Sequence, residues 1–184
     1  MAEAKKKSVV GPTGKAVADN IKRLRGDMQY VKLADRLKQL GRPIPTLGLR
    51  KIESYERRVD ADDLVALAVA LGVSPVSLLV PLDSFSEDDS VEVTGVDDGI
   101  PAKQAWEWMR GETPLSGGDN AVELLQYIGR SAPGWRVRNY ANGVQALLEL
   151  NRVERDMQSS DPAVAAAAKV RFNEMVEESR RGDD

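Results

Sequence analysis

The sequence predicts an all-α protein in two parts: an N-terminal five-helix helix-turn-helix domain and a small C-terminal helical domain. Three observations carry this. Apolar residues recur at helical rather than alternating spacing along most of the 184 residues. Ser, Thr, Asp, Pro and Gly punctuate those segments where helices start and stop. The net charge of −3 splits unevenly: residues 1–82 hold 15 Lys+Arg against 9 Asp+Glu, and residues 83–184 hold 11 against 20, giving +6 and −9. The basic half is the one expected to face a polyanion.

Residues 1–12, with Lys5, Lys6 and Lys7, have no periodicity and read as a flexible basic arm. Thr13 suits an N-cap for a helix reaching about Gly26, with Val17, Ile21 and Leu24 turned inward and Lys22, Arg23 and Arg25 elsewhere. Residues 30–40 place Val31, Ala34, Leu37 and Leu40 on one side, with Gly41 as a stop. Pro43 and Pro45 push Arg42 and Ile44 out of the α region, so GRPIP is an extended connector. Thr46 then caps a helix over 47–57 with Leu49, Ile52 and Tyr55 inward.

Asp60, with Asp63 three residues on, resembles a capping box, although Asp replaces the usual Glu or Gln. Leu64, Leu67, Ala68 and Leu71 follow as a core face, and Ser74-Pro75 opens a short fifth helix. Residues 13–82 therefore form one domain. Residues 83–99 are acidic and turn-rich and read as a linker, with VEVTGV offering a short strand or docking segment. Residues 100–184 are expected to be helical over 101–111, 120–129, 140–157 and 162–178. In the last of these Val164, Ala168, Phe172 and Met175 form a stripe whose simplest partner is the preceding helix. Trp106, Met109 and Trp135 are expected in the core, and Trp108 at a domain interface.

Composition restricts the chemistry. With no His and no Cys, thiolate catalysis, imidazole acid–base chemistry and ordinary zinc sites are excluded. No enzyme, metal or cofactor is expected. No run approaches 18 apolar residues and no apolar leader is visible, so an intracellular protein without a membrane partner is expected. Gly11 to Lys15 has two residues between its glycines rather than the four of a phosphate loop, and the clusters at Glu87 to Asp89 and Asp97-Asp98 lack calcium-loop spacing.

A short helix delivered by a preceding one fits a major groove, where its first side chains reach base edges. Thr46, Gly48, Arg50, Lys51 and Ser54 are the candidates, Arg50 for bidentate reading of a guanine and Gly48 for close backbone approach. Arg42, Lys32 and Tyr30 complete the expected DNA-binding set. For Tyr30 a half-buried packing role stands beside a phosphate contact. Which charges read bases and which hold phosphates is left open. A second signal lies in the acidic half: residues 124–148 contain no Asp or Glu but hold Arg130, Arg136, Arg138, Asn139 and Asn142, a candidate second nucleic-acid contact.

Residues 13–80 resemble the Cro and phage-repressor type of helix-turn-helix regulator, whose signature sets an Ile-Glu pair at the end of the recognition helix, here Ile52-Glu53. Two departures stand out. GRPIPTLG is longer than the family's tight turn, and Tyr30 stands where many relatives carry Gln. With its lysine-rich arm and WEWMRG segment the whole chain is most similar to immunity repressors of temperate mycobacteriophages. The resemblance implies a cytoplasmic protein of the bacterial host cell that maintains lysogeny by binding operator- and stoperator-like double-stranded DNA, as a monomer on short asymmetric sites. The alternative is a host regulator or antitoxin-type protein whose second domain dimerises or binds a protein.

Overall fold

A computed structural model of the chain describes residues 10–81, 86–118 and 120–181. The lysines of the expected arm, the last residue of the expected 13–82 domain and residues 83–85 of the expected linker lie outside the described residues. The described chain is mostly helical, with one two-stranded sheet. No described helix is long and apolar enough to cross a membrane.

The first five helices are α1 (Pro12–Arg25), α2 (Tyr30–Gln39), α3 (Thr46–Glu53), α4 (Ala61–Leu71) and α5 (Val76–Leu79). They enclose a core built on Val17, Ile21, Leu33, Leu37, Ile44, Leu49, Ile52, Leu67 and Leu78. Helix α1 starts with Pro at its first position and Gly11 at the cap, so Thr13 does not cap it. Instead Thr13 and Thr94 exchange hydrogen bonds, each backbone N–H donating to the other's Oγ1 at 3.2 and 3.0 Å. Val10, expected in the arm, is buried.

In α2 the inward stripe differs from the expected one. Leu33 and Leu37 are fully buried, whereas Val31 and Leu40 are 59% and 47% exposed. Tyr30 takes the inward place beside Leu33 because its hydroxyl finds a partner there, and Val31, one residue or about 100° on, is turned to solvent. Helix α3 is shorter than expected. Tyr55, at φ 60°, occupies the left-handed position usually given to glycine. Its N–H donates to Ile52 O and that of Glu56 to Lys51 O, the pair of hydrogen bonds that ends a helix. Tyr55 is accordingly exposed rather than inward, its Oη donating to Asp19 Oδ1 at 2.5 Å. Asp60 caps α4 as expected, accepting from Asp63 N at 2.7 Å.

The acidic segment is more than a linker. Strands β1 (Ser90–Val91) and β2 (Ile100–Pro101) pair antiparallel and lead into α6 (Ala102–Met109). Val80, Val91, Val93 and Ala105 form a second core, against which Trp106, Trp108 and Met109 pack. The first compact unit therefore runs to Tyr127 rather than ending near residue 82, and its boundary falls inside α7 (Ala121–Ser131). Trp108 packs on this cluster, where Val76 and Val80 of the expected first domain meet Ala105 of α6, so it lies at the junction of the two expected domains, inside one compact unit.

The second unit, from Ile128, contains α8 (Gly134–Met157) and α9 (Pro162–Arg181), which pack on each other. Val153 and Ala168 are buried in it, and Arg171 bridges to Glu149 at 2.7 Å. Helix α8 begins six residues earlier than expected because Pro133, at its cap, sets the entry backbone. Trp135, expected in the core, is 60% exposed on its first turn.

Candidate nucleic-acid interface

Helix α3 is amphipathic in a restricted sense: two apolar residues anchor it and a narrow outward stripe is left free. Leu49 and Ile52 are buried to 0% and 1% exposure beneath it. At about 100° per residue, Leu47, Arg50, Lys51 and Ser54 fall within one sector of roughly 100° on the opposite side, and all four are exposed. Thr46 sits half-buried at the first turn. Lys32 is exposed on α2. From Leu47 to Ser54 the stripe is about 10 Å long, close to the width of a B-DNA major groove, about 12 Å.

Three groups fix the far end of this helix. Glu53 accepts from Arg25 Nε at 2.7 Å and Arg25 Nη2 at 3.0 Å, while Tyr30 Oη donates to Glu53 Oε2 at 2.6 Å. Arg25 also donates to the carbonyls of Gly26 and Met28 and lies 4.2 Å from the centre of the Tyr30 ring. Burial alone would push the Glu53 carboxyl up, but the hydrogen bonds from Arg25 and Tyr30, with Arg25's charge, more than reverse this and hold it below the usual carboxylate value. The bond to Glu53 raises both the Arg25 guanidinium and the Tyr30 hydroxyl above their ordinary values. Tyr30 thus joins the ends of three helices, and its hydroxyl is committed within the protein. The Arg50 guanidinium lies 5.2 Å from the same ring, giving it a support at the base of the stripe.

The near end is fixed from α4. The Asp63 side chain, 3% exposed, accepts from Arg42 Nε and from Arg57 Nη2, both at 2.7 Å. Arg42 also donates to Asp60 at 2.8 Å. Arg42 and Arg57 flank α3 in sequence, so one carboxylate ties both of its connections to α4. Arg42, expected to contact DNA, has its guanidinium occupied by this network, because the extended Pro43–Pro45 connector lays it across the start of α4.

Gly48 also differs from expectation. A Cβ at this position would approach Arg57 Nη1 to 2.7 Å and Ile44 Cγ2 to 3.1 Å. It is turned about 100° away from Leu47, so the glycine makes room for Arg57 inside the domain rather than for a ligand outside it. Ser54 Oγ, at the end of the stripe, lies 3.2 Å from Glu56 Oε1. The exposed set on α3 is therefore Leu47, Arg50, Lys51 and Ser54, with Thr46 half-buried at its start. Leu47 was not among the expected residues, although its helical angle against Leu49 and Ile52 would have singled it out.

In the second unit the expected cluster is divided. Arg136 and Arg138, two residues apart on α8, point about 200° apart around its axis. Arg136 shares its side with Asn139 and Tyr140, its Nη2 lying 3.5 Å from Tyr140 Oη. Arg138 and Asn142 lie on the other side, and Arg130 is exposed on α7. A groove along α8 is lined by Arg136, Asn139, Tyr140, Gly143, Val144 and Leu147. Among the described residues there is no group of His, Cys, Asp or Glu that could hold a metal ion. Protein-family models, curated proteins and solved structures provide no match to the chain.

Proposed function

We propose that the chain is a sequence-specific double-stranded-DNA-binding transcriptional repressor of the phage-immunity kind, with α2 and α3 as a helix-turn-helix and α3 entering the major groove. The observation that carries this reading is the α3 stripe. A helix anchored by Leu49 and Ile52 and fixed at both ends by buried carboxylates presents Arg50 and Lys51 outward with no acid between them. Arg50 takes the base-reading role, and Lys51 and Lys32 hold phosphates. Two full-length proteins, wild type and Arg50→Ala, are used to select bound fragments from random duplex DNA. Loss of about 1–3 kcal/mol, with relaxed preference at one or two positions, is expected for Arg50→Ala. Unchanged affinity and selectivity would remove Arg50 from the base-reading role.

For the second unit, a contact to an adjacent stretch of DNA through Arg138 and Asn142 is the reading in line with an asymmetric, monomer-bound site. A second reading is favoured by a specific observation: Val144, Leu147 and Leu148 are 40%, 58% and 64% exposed on α8. In that reading the unit dimerises or binds a protein. Light scattering of the full chain separates the two, a stable dimer favouring the latter.

A further inference from the structure

Leu47 is 62% exposed although the helix that carries it has a well-filled inner face. It lies at the middle of the outward stripe of α3, about 60° from Arg50 on one side and about 40° from Lys51 on the other. A second protein surface would have to cover this leucine and both flanking charges together, desolvating two cations. A DNA major groove meets all three at once. It offers phosphates at its edges for Lys51, base-edge acceptors for Arg50 and, at its floor, the apolar 5-methyl groups of thymine.

We propose that Leu47 is a base-reading residue that recognises a thymine 5-methyl group, so that the site bound by this chain contains at least one thymine whose methyl is needed for affinity. The inference rests on the DNA-binding reading above and names the chemical feature read. Arg50 supplies polar discrimination and Leu47 apolar discrimination from adjacent turns of one helix, so their effects are separable.

The test uses the full-length chain and a duplex recovered by selection from random sequence, prepared with thymine and, one position at a time, with uracil, which lacks only the methyl. The wild-type chain should bind one or two uracil-substituted duplexes about three- to fivefold more weakly, the affinity equivalent of one buried methyl group. Leu47→Ala should bind the thymine duplex more weakly by a similar factor and be indifferent to uracil at those positions, whereas Arg50→Ala should retain the thymine preference. Because Leu47 is largely exposed, its truncation leaves the core intact. Equal binding of every uracil duplex by the wild type, or an undiminished thymine preference in Leu47→Ala, would overturn the inference and leave the DNA-binding reading standing. If selection enriches no sequence at all, both fall.

Discussion

Glu53→Gln and Glu53→Ala test whether the far end of α3 is held as described. Hydrogen bonds to charged groups contribute about 1.5–3 kcal/mol, and breaking a buried ion pair costs about 3–5 kcal/mol when the remaining charge is stranded. Arg25 would not be stranded entirely, because it keeps the carbonyls of Gly26 and Met28 at 2.9 and 3.0 Å. The expected loss is therefore about 2–3 kcal/mol for Glu53→Ala. For Glu53→Gln, which keeps the volume and one acceptor, it is about 1–2 kcal/mol. Urea unfolding of the full chain measures the loss, and amide exchange at Leu49 and Ile52 locates it. The pH dependence supplies a second check. A carboxyl held below its unfolded value, about 4.3, contributes stability that is complete above that value and is lost as pH falls through the lower folded one. The advantage of wild type over Glu53→Gln should then be level from about pH 8 to 5.5 and shrink in acid below about pH 4. A Glu53→Gln protein within about 0.5 kcal/mol of wild type at neutral pH, or a difference that persists in acid, would refute the proposed role of this carboxylate.

Asn20, buried in α1, donates to Leu78 O at 3.2 Å and Val80 O at 2.7 Å, so Asn20→Ala should lower stability by about 2 kcal/mol, read as a shift in urea midpoint. Gly48→Ala should be more favourable in an Arg57→Ala protein than in wild type by about 0.5–1 kcal/mol, because only in wild type must the new methyl displace Arg57, while its approach to Ile44 is common to both; equal effects in both backgrounds would refute that packing. A fragment of residues 1–82 should be about 2 kcal/mol or more less stable than one of residues 1–127, because Val80 loses the cover of Val91, Val93 and Ala105, and Thr13 loses Thr94. Equal melting of the two fragments would show that the second core is dispensable.

Much of this architecture was legible in the residues themselves. The spacing of Val17 and Ile21, of Leu67 and Ala68, and of Leu49 and Ile52 places each on a buried face, and Asp60 caps the helix it precedes. What escaped was whatever depends on a partner far away in sequence. Val31 and Leu33 both satisfy a helical pattern; Leu33 is chosen because Tyr30 is held inward by Glu53, 23 residues on. Arg42 looks like a DNA contact until α4 brings Asp60 and Asp63 to it. Gly48 looks permissive toward a ligand until Arg57 crosses it. Trp135 was placed by the usual behaviour of tryptophan, which does not tell where a long helix stands away from its neighbour. The start of α8 was available in Pro133, which stands at its cap as Pro162 stands at the first position of α9.

The inward-turned arginines alter how this protein would respond to ionic strength. Arg25, Arg36, Arg42 and Arg57 all donate to acceptors within the first unit. Each cation so held is one that does not displace a counterion from a phosphate, and each phosphate contact contributes about 0.9 to the slope of log affinity against log salt. Four fewer contacts make that slope shallower by about 3–4 than the basic composition of the first half suggests. In the proposed complex, attachment to arbitrary DNA would be weakened accordingly, while the proposed apolar contact of Leu47 would be insensitive to salt. On that reading the chain would dwell little on arbitrary sequence and hold its selected site across a wide range of salt concentration.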